Sequence, residues 1–162
     1  MKNKGFTLIE LLVTISIIGM LAGSVLMMFA GATGSARDSR RKTELQRAGR
    51  IFLTVCYMPD SGPGNYDIAV LAAELKNKYP QFSGQFSSLP SDPKLGTTER
   101  AYYEYTVSDD GKKCAIYANL ERKTEPVTLP GIAEPTPGGG TGVFKAAQEG
   151  RNKSDRYFQI SN

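Results

Sequence analysis

Met1-Lys2-Asn3-Lys4-Gly5-Phe6-Thr7-Leu8-Ile9-Glu10-Leu11-Leu12 opens the chain, and the apolar run that grows out of it decides how the rest is read. Two lysines precede Gly5, and from Leu11 to Ala36 no side chain ionises. A helix rising 1.5 Å per residue needs about 20 residues to cross a hydrocarbon core of ~30 Å. This run is long enough. Glu10 is the anomaly, because a carboxylate near the membrane end of a spanning helix costs free energy unless something neutralises it. It is therefore read as a functional residue.

The same residues resemble the N-terminus of type IV pilins and pseudopilins. Lys2, Lys4 and Gly5 look like the short leader read by the prepilin peptidase, and Phe6-Thr7-Leu8-Ile9-Glu10-Leu11-Leu12 looks like the start of the mature subunit. The resemblance is dense over residues 4–12 and loose beyond about residue 58. It implies cleavage between Gly5 and Phe6, N-methylation of the new Phe6 amine, and an assembly role for Glu10. It also implies a homo-oligomeric helical filament built with pilus or pseudopilus assembly machinery. The precursor would sit in the cytoplasmic membrane, and the assembled form would be an extracellular pilus or a periplasmic pseudopilus.

Two plainer readings compete. A secretory signal peptide would use the basic start, the apolar region and Ala30-Gly31-Ala32 as its cleavage site. A single-pass anchor carrying a binding domain would never polymerise. The uncharged run exceeds the 7–15 residues usual for signal peptides, and both readings leave Glu10 unexplained.

Composition narrows the chemistry. The 162 residues include no His, no Trp and only two Cys, with a formal net charge of +4 that loss of Lys2 and Lys4 would reduce to +2. Imidazole acid–base catalysis, Ser-His-Asp triads and four-cysteine sites are excluded. There is no P-loop, no G-x-G-x-x-G and no internal repeat. The expectation is a non-enzyme without cofactor or metal, and the mild charge makes nucleic acid an unfavoured partner.

The expected fold is α+β, a long N-terminal helix whose second half packs on a small antiparallel sheet domain. Residues 1–5 are read as leader, 6–36 as transmembrane and assembly helix, 37–58 as its amphipathic continuation, and 59–162 as the globular domain. No proline interrupts Met1 to Met58, and Leu45, Ala48, Phe52 and Val55 recur at helical spacing. One helix is predicted to about Tyr57, with Arg47, Arg50 and Glu44 directed elsewhere. Gly19-x-x-x-Gly23 would allow close helix–helix approach in a membrane. Arg37, Arg40, Arg41, Lys42, Arg47 and Arg50 form a basic cluster, read as a solvated face or as a contact for anionic lipid or neighbouring subunits. The cluster conflicts with the positive-inside rule, which alone would place the globular part in the cytoplasm.

Farther on, Asp67 is predicted to cap a helix from Ile68 to Tyr79 with Ile68, Leu71, Ala72 and Leu75 on one face. Pro80 to Gly96 reads as loop. Tyr102, Tyr103, Tyr105 and Val107, then Asp109-Asp110-Gly111, then Cys114 to Leu120 read as a hairpin. Asp92-Pro93 before this hairpin looks like the sheet region of major pseudopilins and related pilins, in some of which a loop binds calcium; Asp92, Asp109 and Asp110 are the nearby acidic residues, each explicable by turn chemistry. Residues 121–142 form a Pro/Gly-rich loop, after which Val143-Phe144 and Tyr157–Ile160 can return as strands. On the pilin reading Cys56 and Cys114 lie outside the cytoplasm, where a disulfide between them would persist and join helix to sheet.

Overall fold

The computed structural model describes residues 6–162, apart from the side chains of residues 26–31 and of Phe82. It divides into two units, Met1–Ser35 and Ala36–Asn162. A single helix, α1 (Leu8–Phe52), of 45 residues contributes to both.

In the first unit the helix is long and apolar enough to cross a membrane over the 18 residues Leu8–Val25. Its hydroxyl side chains bond back to their own helix. Thr14 donates to the Leu11 carbonyl at 2.8 Å, Ser16 to Leu12 at 2.8 Å and Ser24 to Leu21 at 3.0 Å. Such back-bonding satisfies these three hydroxyls without water, as a hydrocarbon environment requires.

The second unit is a helix-on-sheet layer pair. Its five strands are β1 (Gly64–Asp67), β2 (Glu104–Val107), β3 (Cys114–Asn119), β4 (Gly142–Lys145) and β5 (Arg156–Ser161). They pair antiparallel throughout in the order β1-β2-β3-β5-β4. Leu45, Ala48 and Phe52 of α1 are buried in one cluster with Tyr105, Val107, Ile116, Ala118 and Phe158 of the sheet. The Phe52 and Tyr105 rings lie 5.9 Å apart, and burial of each large apolar side chain contributes roughly 1.5–3 kcal/mol. Helix α2 (Ile68–Lys78) adds Ile68, Leu71, Ala72 and Leu75, and Asp67 caps it by accepting from the Ala69 amide at 2.9 Å.

The β2–β3 hairpin turns at Ser108–Lys113, where Gly111 takes φ +67° and the Ser108 amide bonds the Lys113 carbonyl at 2.9 Å. Tyr102 and Tyr103 precede the strand rather than belonging to it. Three further differences from the sequence-based expectation stand out. Strand β1 follows a turn that hid it: the four residues Gly64–Asp67 are too short to show alternation. The stretch after Pro80 holds a 3-10 turn (Pro80–Phe82) and one helical turn, α3 (Ser83–Phe86). Helix α1 stops at Phe52 instead of Tyr57, because the chain turns so that Cys56, at φ +42°, can reach β3. Val55, expected on the apolar stripe, is consequently 82 % exposed.

Candidate functional site

The N-terminal segment is the first place to look for function, and its geometry begins with Thr7. Thr7 precedes the first helical residue, so its side chain is placed to satisfy amides that have no partner within the helix. The Glu10 amide donates to Thr7 Oγ1 at 3.3 Å, while Glu10 Oε2 accepts from the Thr7 amide at 2.9 Å and from its hydroxyl at 2.7 Å. This reciprocal pair is a capping box, and the carboxylate also complements the positive end of the helix dipole. The T-x-x-E spacing of this box is legible in Thr7-Leu8-Ile9-Glu10. Both accepted bonds fall on Oε2, so Oε1 has no hydrogen-bond partner among the described residues.

Among the described residues the apolar side chains of this segment are exposed. Large hydrophobic residues range from 48 % exposed at Val25 to 83 % at Phe6. A Cβ placed on Gly19 or Gly23 would meet no atom within 4 Å, so neither glycine is needed for packing inside the chain. Gly5, the other half of the expected cleavage site, lies with Lys2 and Lys4 outside the described residues.

Cys56 and Cys114 form a disulfide with Cα atoms 5.4 Å apart, tying the turn after α1 to the first residue of β3.

The basic cluster is a correction. Arg41 is fully buried rather than solvated, and its planar fork is fully used. Nε and Nη2 reach both oxygens of Asp92 at 2.8 and 3.0 Å, and Nη1 reaches Asp38 Oδ1 and Glu121 Oε1, each at 2.8 Å. Asp38 in turn accepts from the Glu121 and Arg122 amides at 2.8 and 3.0 Å. Arg37 binds Glu121 bidentately at 2.7 Å, Arg40 binds Glu44 at 2.7 Å, and Lys42 pairs with Glu125 and sits 5.8 Å over the Phe158 ring. Glu44, expected to point away, accepts from the Tyr103 hydroxyl at 2.6 Å. Four of the six basic side chains are thus neutralised inside the unit, which weakens their claim on lipid or nucleic acid; Arg47 and Arg50 remain exposed. Asp38 and Glu44 pair within α1 at i,i+3 and i,i+4, whereas Asp92, Glu125 and Glu121 lie 51, 83 and 84 residues from Arg41, Lys42 and Arg37, which is why no local pattern revealed them.

The same network sets protonation. Hydrogen bonds from Arg37, helped by Arg41 and opposed by burial, lower the Glu121 carboxyl to about 2. For Asp92, burial pushes upward but the Arg41 bond and the amides of Lys94 and Leu95 win, so its pKa falls. Asp92 is therefore committed to Arg41, and Asp110 accepts from Lys112 N at 3.1 Å within the hairpin turn. Among the described residues no group of three or more His, Cys, Asp or Glu side chains converges as a metal site.

No curated protein and no solved structure matches the chain. Residues 1–26, however, match the family described as the prokaryotic N-terminal methylation motif, so the chain carries the prepilin-type motif of type IV pilins and pseudopilins.

Proposed function

We propose that the chain is a structural subunit of a type IV pilus-like filament, cut by prepilin peptidase between Gly5 and Phe6, methylated on the Phe6 amine and polymerised through its N-terminal helix. The observation that carries this reading is the match over residues 1–26, which coincides with the exposed apolar half of α1. A spanning helix with no internal partner is soluble only in lipid or against its own copies. The precursor accordingly sits in the cytoplasmic membrane, and Gly19 and Gly23 offer open backbone for neighbouring helices.

Glu10 gives the assembly its register. Its Oε2 is occupied by Thr7, and Oε1 is open for the methylated Phe6 amine of the adjoining subunit. In low dielectric such a pair is satisfied at one axial stagger and broken at others, with an unpaired acidic group costing ~2.5–3.5 kcal/mol at mid-membrane and less near the end. Glu10→Ala removes the carboxylate altogether. Insertion and processing are expected to stay normal while filament yield falls roughly tenfold or more, the ratio that about 1.4 kcal/mol provides. Mass spectrometry of the mature protein tests the processing step. Phe6 with one added methyl supports the proposal, whereas Met1 identifies an anchor and Thr33 a signal-peptidase product.

The alternative of a type II secretion pseudopilin shares every step up to assembly. Electron microscopy of cells with and without the gene separates the two: loss of long surface fibres supports a pilus, and intact fibres with failed enzyme export support a pseudopilus.

A further inference from the structure

Residues alternate across a strand, so the pairing register divides the sheet into two faces. Tyr105, Ile116 and Phe158 occupy the face shared with α1, and Glu104, Tyr117, Asn119, Tyr157 and Gln159 occupy the other. At the Gln159 end the Pro/Gly-rich loop closes every bond. Gln159 Oε1 accepts from the Thr136 amide at 3.0 Å, and Nε2 donates to the Gly140 carbonyl at 2.9 Å.

At the Glu104 end a cleft of about 310 Å³ remains, lined by Tyr102, Glu104, Tyr117, Arg151, Asn152 and Tyr157. Among the described residues the Glu104 carboxylate, the Tyr117 and Tyr157 hydroxyls and the Arg151 guanidinium have no hydrogen-bond partner. Asn152 is only 5 % exposed, and its Nδ2 donates to Asp92 at 3.1 Å and to the Asn119 carbonyl at 2.9 Å. Its Oδ1 is buried with no hydrogen-bond partner among the described residues. A buried, unpaired acceptor costs free energy and calls for an explanation.

The walls of the cleft are built rather than incidental. Tyr102 holds φ +57°, a left-handed conformation unfavourable for a bulky residue that persists only where its surroundings impose it. Here Asp67 imposes it, accepting from the Ala101 and Tyr102 amides at 3.0 and 2.8 Å. The guanidinium of Arg151 lies 5.0 Å from the Tyr102 ring centre, and that of Arg100 lies 5.8 Å from it. The loop carrying Arg151 is pinned by Asn119, which accepts from the Asn152 amide at 2.6 Å and donates to the Ser154 carbonyl at 2.8 Å.

The complement of this cleft needs an apolar face for tyrosine rings and several small donors and acceptors on the same molecule. A zwitterionic amino acid brings two full charges but leaves the hydroxyls and the amide open. A sugar ring brings a C–H face together with hydroxyls that both donate and accept, and the volume lies at the small end of ligand pockets. We propose that this cleft is a carbohydrate site for one pyranose ring, held by Tyr102, Tyr117 and Tyr157 and read by Glu104, Arg151 and Asn152. The proposal concerns the globular unit and does not rest on filament assembly.

Saturation-transfer NMR on the full chain, in a detergent without a sugar headgroup, tests it with glucose, galactose, N-acetylglucosamine and glucuronate, and with sorbitol and lysine as controls. Transfer to the ring C–H protons of at least one pyranose, and to neither control, is expected. Tyr102→Gly deletes the ring and relieves the strained φ, so it should fold and bind roughly tenfold more weakly. Arg151→Ala, at an exposed position, should weaken binding in the same direction. The proposal is overturned by absence of transfer to every pyranose, by equal transfer to sorbitol or lysine, or by unchanged affinity in whichever of the two variants folds.

Discussion

Leu8 to Val25 and Asp38 to Phe52 belong to the same helix and treat their side chains in opposite ways. The first stretch exposes nearly every apolar group it has; the second buries Leu45, Ala48 and Phe52 together with a charged arginine and aspartate. Apolar area left in water forfeits roughly 25 cal/mol per Å², so the first stretch is stable only where another medium or another helix supplies cover. The second stretch has its cover within the chain. It can therefore bury even Arg41, because Asp38 one turn earlier in the helix and Asp92 and Glu121 from elsewhere in the globular unit pair with it. One stretch leaves its apolar groups exposed, the other is completed by contacts within the globular unit.

Breaking the internally completed stretch should show the largest effects. Arg41→Ala leaves Asp38 and Asp92 buried without their partner, and the globular unit should lose about 3–5 kcal/mol in chemical denaturation. Arg41→Lys should rescue little, since one ammonium cannot reproduce a fork that reaches three carboxylates. A loss under ~1 kcal/mol in Arg41→Ala would mean that the network stabilises far less than its burial implies.

The disulfide comes next. It closes a loop with a sequence separation of 58, which in the chain-entropy model is worth about 4 kcal/mol. The double variant Cys56→Ser/Cys114→Ser should lower stability by up to that amount in the absence of reductant, and dithiothreitol should move the native chain toward the variant. Identical stabilities of native and double-variant chains would remove the disulfide from the account.

Acid sharpens the comparison further. Glu121 has its pKa lowered from 4.5 to about 2 by Arg37 and Arg41, so its contribution is fully present above about pH 4.5 and is lost as pH falls through about 2. Asp92 acts in the same direction. Unfolding free energy should therefore decline across that window, by on the order of 3 kcal/mol for Glu121 alone. Glu121→Gln should flatten the decline, and an unchanged slope would refute the assignment.

The smallest effect belongs to the exposed stretch. Thr7→Ala removes the capping box at a cost of about 1 kcal/mol, enough for amide exchange in the first turn of α1 to quicken roughly fivefold. Thr7→Ser should restore the protection. The stability of the globular unit should not move in either variant, and a parallel loss there would show that the two stretches are coupled.

Much of this was legible in residue order. The apolar run, the lone Glu10 within it, the Asp67 cap of α2 and the Asp-Gly hairpin are local patterns, set by side-chain hydropathy, spacing and backbone preference within a few residues. The Asp92 and Glu121 partners of Arg41 and the left-handed Tyr102 were not legible, nor was the cleft above Glu104, because each depends on residues brought together from distant strands and loops. Sequence periodicity marked Arg37 to Lys42 as basic, but whether that charge faces water or carboxylates depends on burial and pairing geometry, which only the folded chain decides.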